Sequence, residues 1–159
     1  MDLSLIEAAF LTAMQAGYAI EGVSNTKVLD LPGYKEIRYE DGDFLIVDRW
    51  CVNAGSRKSA GTTTIWHKGV PVWFMSYGGY YPTDKAIFFL KHALRHQYCK
   101  DRHFNGGRGP TIFAHTYGNM VYRNRPEVNE FRQFRGREEI ISIREGWIGY
   151  HDYWGMSLL

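Results

Sequence analysis

Apolar residues recur at helical spacing in two stretches of this chain and alternate with polar ones through most of the remainder. The first stretch predicts a helix over Leu5 to Ala16, with Ile6, Phe10, Ala13 and Met14 on its apolar stripe. Ser4 and Glu7 have the spacing of a capping box, and Gly17 stands where a left-handed residue would stop the helix. Glu21 to Gly33 reads as a connection and Tyr34 to Arg38 as a short strand. The turn residues Glu40-Asp41-Gly42-Asp43 then launch Phe44 to Cys51, the clearest strand in the chain because β-branched and aromatic residues dominate it. Asn53 to Gly61 reads as a polar loop. Thr62 to His67 and Val70 to Tyr77 flank Lys68-Gly69 as a hairpin, which assigns Pro71 to an edge or a bulge.

Gly78-Gly79-Tyr80-Tyr81-Pro82 is expected to break the sheet, with Thr83 capping a second helix over Ala86 to Tyr98 that ends near Cys99 to His103. Beyond the loop Asn105 to Pro110, strands are expected at Thr111 to Tyr117, Asn119 to Asn124, Phe131 to Phe134, Glu139 to Arg144 and Trp147 to Tyr153. Hairpins this short cannot be parallel crossovers. The expected class is therefore α+β, with two main helices packed on an antiparallel sheet.

The elements also come in two similar sets. Gly42 to Arg49 is echoed by Gly118 to Arg125 at a spacing of 76, and Lys68-Gly69 to Gly78 by Glu145-Gly146 to Gly155 at a spacing of 77. A helical pattern precedes each set. Two units at so long a period fit an internally duplicated single domain, with halves of about 1–81 and 82–159, better than a solenoid.

The 159 residues suffice for one domain with its own core, and 5 Trp, 11 Tyr and 9 Phe are enough for some rings to line a groove as well as the interior. No run of apolar residues is long enough for a membrane helix, and Met1-Asp2-Leu3-Ser4 lacks a secretory pattern, so a cytoplasmic location and no membrane partner are expected. Cys51 and Cys99 are expected as thiols, with Cys51 buried by its alternation with Leu45 and Val47. The net charge of +2 excludes no partner. Its distribution is more informative: Lys85, Lys91, Arg95, Lys100, Arg102 and Arg108 face only Asp84 and Asp101 over the second helix and its following loop.

The segment Ser59-Ala60-Gly61-Thr62-Thr63-Thr64-Ile65-Trp66-His67-Lys68-Gly69-Val70-Pro71-Val72-Trp73-Phe74-Met75-Ser76-Tyr77-Gly78-Gly79 resembles a bacterial family of unknown function. Tyr39-Glu40-Asp41-Gly42-Asp43-Phe44, Arg108-Gly109-Pro110 and Phe134-Arg135-Gly136-Arg137-Glu138-Glu139-Ile140 follow the same pattern. The resemblance implies a domain found alone or behind an XRE-type helix-turn-helix, and it carries over no catalytic residues. One helix ahead of residue 34 cannot supply a helix-turn-helix, so nucleic-acid reading by this chain alone is not expected. Two related halves are also similar, as architecture, to gyrase-inhibitor-like effector-binding domains that form a cleft.

Among local constellations, His92 and His96 are one helical turn apart and could share a transition metal, with Cys99 and His103 further along the same stripe. Ligands spread over three turns cannot close around one ion without a break in the helix or help from His115 or His151. The alternative puts the histidines on a solvated face opposite Ile87, Leu90, Leu94 and Tyr98. The glycine-rich loops Asn53 to Gly61 and Asn105 to Pro110 could offer amides to a phosphate, although neither is a P-loop. Asp48, Glu138, Glu139, His151 and Asp152 are acid–base candidates without local organisation. His151 and Asp152 face opposite sides of a strand.

The aromatic residues carry the main functional expectation. Trp73 and Tyr77 share a strand parity, as do Tyr150 and Trp154 at matching positions of the second set, and together they would wall an apolar cleft between the halves. Arg49 and Arg125 match as anion anchors. The expected function is a non-catalytic sensor or adaptor that binds a small molecule or a protein partner there, without a cofactor. The alternatives are a metal-assisted hydrolase using His92 and His96, and a protein-interaction or inhibitor domain.

Overall fold

The computed structural model describes residues 2–19, 26–115 and 119–159. Helix α1 is Leu3–Ala19 and α2 is Asp84–His96. The strands are β1 Thr26–Lys27, β2 Tyr34–Asp41, β3 Phe44–Val52, β4 Lys58–His67, β5 Val70–Tyr80, β6 Ile112–His115, β7 Met120–Glu130, β8 Gln133–Ser142 and β9 Ile148–Ser157. They form one nine-stranded antiparallel sheet in the order β1-β2-β3-β4-β5-β9-β8-β7-β6. A meander from each half meets the other where β5 pairs with β9. The chain is thus α+β, as its patterning implies.

Several boundaries differ from expectation for local reasons. Asp2 caps α1 in place of Ser4, its Oδ1 accepting the Ser4 amide at 3.0 Å. The helix passes through Gly17, which lies against Ile37. Part of the connection Glu21 to Gly33 falls outside the described residues, as do residues 116–117 of the strand expected to reach Tyr117. Thr83 caps α2 as expected, accepting the Ala86 amide at 3.1 Å. Past His96 the helix widens into a π turn, Gln97–Asp101, closed by Arg102 at φ 53°. His92, His96 and Cys99 still border one surface groove, but the π turn ends before His103, which leaves the expected stripe.

The largest corrections concern small residues. Lys58 to Gly61 belongs to β4, and Gly78-Gly79-Tyr80 continues β5 instead of breaking it. Phe131 lies in the turn between β7 and β8, and Glu139 is inside β8. Pro71 sits at a register shift between β4 and β5, the bulge that its missing N–H requires.

Both helices cover one face of the sheet. Phe10 of α1 packs on Trp73, ring centroids 5.1 Å apart, and Trp73 stacks at 5.2 Å on both Phe131 and Phe134. Burial alternates strictly along β9, so that His151, Tyr153, Gly155 and Ser157 face the helices while Asp152, Trp154 and Met156 face away. Among the described residues no helix is long and apolar enough to cross a membrane.

Candidate functional site

On the helix-covered face, one row of cross-strand partners carries a concentration of chemistry that core packing does not need. Ser59 on β4 pairs with Gly79 on β5, Gly79 with His151 on β9, His151 with Glu138 on β8, and Glu138 with Asn124 on β7. Directly opposite residues share a face. Gly79 has no side chain to separate its neighbours, and a Cβ there would collide with the Tyr150 carbonyl oxygen. His151 consequently reaches over it, and Ser59 Oγ lies 2.9 Å from His151 Nε2. The other ring nitrogen, Nδ1, lies 3.1 Å from Glu138 Oε1.

Glu138 is fully buried and held from three sides. Arg108 Nη2 donates to its Oε1, and Tyr122 donates its hydroxyl to Oε2 at 2.7 Å. Burial pushes the Glu138 carboxyl up, but the Arg108 charge and the hydrogen bonds from His151 and Arg108 outweigh it and bring the pKa down to about 2. For His151, burial lowers the pKa and the Glu138 carboxylate only partly restores it. Glu138 is therefore an ionised acceptor and His151 a neutral ring. A carboxylate has no proton to give, so Nδ1 carries the hydrogen and Nε2 accepts from the Ser59 hydroxyl.

Arg108 arrives from the loop Asn105 to Pro110, which is buried throughout. Three of the loop amides are consumed internally: Gly109 N–H donates to Tyr122 Oη at 2.9 Å, Gly106 N–H to Asn129 Oδ1 at 2.7 Å and Arg108 N–H to the Asn105 carbonyl at 3.2 Å. Asn124 donates to the Asn105 and Gly109 carbonyls at 2.8 and 2.9 Å. The loop is thus a plug that inserts one guanidinium into the sheet, not the phosphate cradle its glycines suggested. The other glycine-rich segment is likewise a turn, where Asn53 Oδ1 accepts the Gly55 and Ser56 amides, followed by strand.

A second acidic group adjoins the row. Asp48 is 4% exposed and accepts from Thr63 at 3.0 Å and Tyr77 at 2.8 Å. Burial raises its pKa against those two hydrogen bonds. The Arg108 guanidinium carbon sits 4.8 Å from the Tyr77 ring centroid, joining the two polar groups. Trp50, Ser59 and Tyr77 are the half-buried rim of this cluster, whereas His151, Glu138, Arg108 and Asp48 lie within it.

The structure distributes the sequence-expected site residues differently. Trp73 is fully buried, its Nε1 donating to the Phe131 carbonyl at 3.0 Å, and Tyr77 belongs to the inner cluster just described. Tyr150 and Trp154 lie on the opposite face: Trp154 is 50% exposed beside Phe74, and Tyr150 lies under the Arg137 guanidinium. The four rings therefore do not share a cleft. The cause is the bulge at Pro71, which places one extra residue in β5. A spacing of 77 counted from Gly69 and Gly146 becomes 76 beyond it, and Tyr77 is matched by Tyr153, its direct partner, instead of Trp154.

Arg49 and Arg125 are on that outer face, five strand spacings apart in sheet order, or roughly 24 Å. Arg49 bonds Glu36 at 2.6 Å and Arg125 lies 4.0 Å from Glu139, so they do not converge as anion anchors. His92 is exposed against Phe88, and His96 packs on Phe113 and lies 3.6 Å from Asp101. Among the described residues no three His, Cys, Asp or Glu side chains gather around a metal position, and the His115 side chain lies outside them. Cys51 is half-buried, not enclosed. What the sequence reading missed is Ser59, which it put in a loop, and the role of Arg108. The available signal was that Arg108-Gly109-Pro110 and Glu138 both fall within the motifs of the family resemblance.

A buried acid–base row on one face of the sheet, beside a half-buried polar rim, gives this α+β fold a concealed polar site. A family model described as a domain of unknown function (DUF5680) matches residues 52–157, and the chain belongs to that family. No curated protein and no solved structure matches it.

Proposed function

We propose that this chain is a small-molecule-binding sensor or adaptor domain of a cytoplasmic bacterial protein, and that its site is the rim Trp50–Ser59–Tyr77 above the His151–Glu138–Arg108 network. The family resemblance favours the bacterial setting and the XRE-type neighbour. An origin by duplication is supported by the matched triplets Asp48–Gly61–Tyr77 and Asn124–Gly136–Tyr153. The observation that carries the binding reading is the burial of Asp48, Arg108, Glu138 and His151, each no more than 5% exposed, beside a polar rim that is only half-buried. Burying such groups costs stability that an apolar core would not forfeit, and they cluster where a protein handles polar ligands.

A thermal-shift screen of polar metabolite-sized compounds tests this. Compounds that stabilise the wild type are expected to lose at least tenfold in apparent affinity with Tyr77→Phe and to keep it with Trp154→Ala. The reverse pattern would move the site to the outer face. That outcome would favour the second reading, a protein-interaction domain, which rests on the exposed Trp154 and its neighbour Phe74.

A further inference from the structure

The geometry points to Ser59 as a nucleophile, with His151 as its base and Glu138 as the positioning carboxylate of an acyl-transfer site. The inference rests on the rim reading above and names its chemistry: a ligand with an ester-type carbonyl.

Four observations carry it. The contacts use the two ring nitrogens in the order such a relay needs, Ser59 Oγ to Nε2 at 2.9 Å and Nδ1 to the Glu138 carboxylate at 3.1 Å. Glu138 faces His151 across the β8–β9 hairpin, whereas Ser59 on β4 is 92 positions from His151 and meets it only because β5 pairs with β9, so no local turn explains that contact. Gly79 is the one strand position between Ser59 and His151, and its lack of a side chain opens the line between them. Finally, the exposure is graded: Glu138 is fully buried, His151 is 5% exposed, and Ser59 alone is half-buried at the rim. The carboxylate and base are buried, while the serine stands at the edge of the cluster.

In the reaction, Ser59 Oγ forms a bond to the carbonyl carbon as its proton passes to His151 Nε2. Glu138 faces the imidazolium so formed. The proton on Nε2 then goes to the departing alkoxide oxygen as the ester C–O bond breaks, leaving acyl-Ser59 and an alcohol. Water supplies the second half: Nε2 takes its proton, hydroxide adds to the acyl carbon, and Ser59 leaves with that proton restored. Arg108 and Tyr122 act through Glu138, fixing its two oxygens so that Oε1 stays directed at the ring.

The test is reaction of the intact chain with an alkyl fluorophosphonate, followed by intact mass and peptide mapping. Attack by Ser59 forms an O–P bond and expels fluoride. A single adduct on Ser59 is expected, absent in Ser59→Ala and slowed at least ~100-fold in His151→Gln, the range of a lost general base. Circular dichroism establishes that each variant is folded; should His151→Gln not fold, Glu138→Gln replaces it, with a shift in the pH profile of labelling as the readout. No adduct on the folded wild type, an adduct on another serine, or equal labelling of wild type and the folded base variant would overturn the proposal. Compounds that stabilise the wild type through Tyr77 while Ser59 stays unlabelled would leave the binding reading standing and remove the nucleophile alone.

Discussion

Tyr77 on β5 and Tyr153 on β9 are direct cross-strand partners, and each lays its ring over a glycine of the adjacent strand to reach a polar residue one strand further. Tyr77 crosses Gly61 and donates to Asp48 at 2.8 Å; Tyr153 crosses Gly136 and donates to Asn124 at 2.6 Å. The two arrangements run outward from the centre of the sheet in opposite directions. They differ in one respect with chemical weight: one acceptor is a carboxylate and the other an amide. The scaffold is matched on both sides while the charge is not.

The glycines beneath those rings are expected to be intolerant of even one carbon. A Cβ at Gly61 would stand 2.6 Å from Tyr77 Cζ and 2.8 Å from the Arg49 carbonyl, and one at Gly136 would stand 2.6 Å from the Arg125 carbonyl. Gly61→Ala and Gly136→Ala should each destabilise by about 1–3 kcal/mol, as overpacking does, measured by urea unfolding. A change below about 0.5 kcal/mol in both would mean that the rings are not held where the hydrogen bonds put them.

The Arg108–Glu138 pair is expected to be costly to break on one side and cheap to remove on both. Glu138→Ala leaves a guanidinium in a site where Arg108 is 4% exposed, and a loss of about 3–5 kcal/mol is expected. Arg108→Met combined with Glu138→Leu should recover a large part of that loss. A double variant as unstable as the single one would count against the pair as the reason for its own burial.

Stability should depend on pH through three groups of opposing sign. His151, faced by Glu138, Arg108, Ser59, Tyr77 and Tyr81, with the Asp152 charge acting from the other face of the sheet, has a folded pKa below its ordinary 6.5. The unfolded chain therefore binds its proton first, and stability present above pH 6.5 is lost as pH falls. Glu138 is depressed from 4.5 to about 2, so its contribution is lost between those values. Asp48 is raised above 3.8; the stability linked to its protonated form is present below that value and disappears as pH rises. The melting temperature should fall from pH 7 to pH 5 in the wild type and change less in His151→Gln. Equal slopes would contradict a neutral, buried His151.

The two tryptophans once expected to share a cleft should separate cleanly in energy. Trp73→Ala removes a fully buried ring stacked on two phenylalanines and should cost about 3–5 kcal/mol. Trp154→Ala, at a position 50% exposed, should stay within about 1 kcal/mol, measured in the same unfolding series. Similar losses would mean that the outer face is covered.

Much of the fold was legible because periodicity reports which face a residue occupies. Helix α2 with its Thr83 cap, the Phe44 strand, the Lys68-Gly69 hairpin and the Pro71 bulge all follow from local chemistry. The site was less legible, for a reason visible in Gly79 and Ser59. Small residues read as loop, whereas here they sit in strands because neighbouring rings and a histidine need the space above them. The aromatic cleft failed on parity alone, since one bulge residue in β5 puts Trp73 and Tyr77 on the inner face, opposite to Tyr150 and Trp154 of β9. The contact of Ser59 with His151 depends on strand order, and β5 beside β9 is not written in any local pattern.

The most direct measurement is the protonation state of His151 by long-range 15N–1H correlation at pH 7, assigned with His151→Gln. A neutral ring with the hydrogen on Nδ1 is expected, together with a shift of the Nε2 resonance in Ser59→Ala. A ring protonated on Nε2, or a charged imidazolium at that pH, would contradict the arrangement of Ser59, His151 and Glu138 on which the site is built.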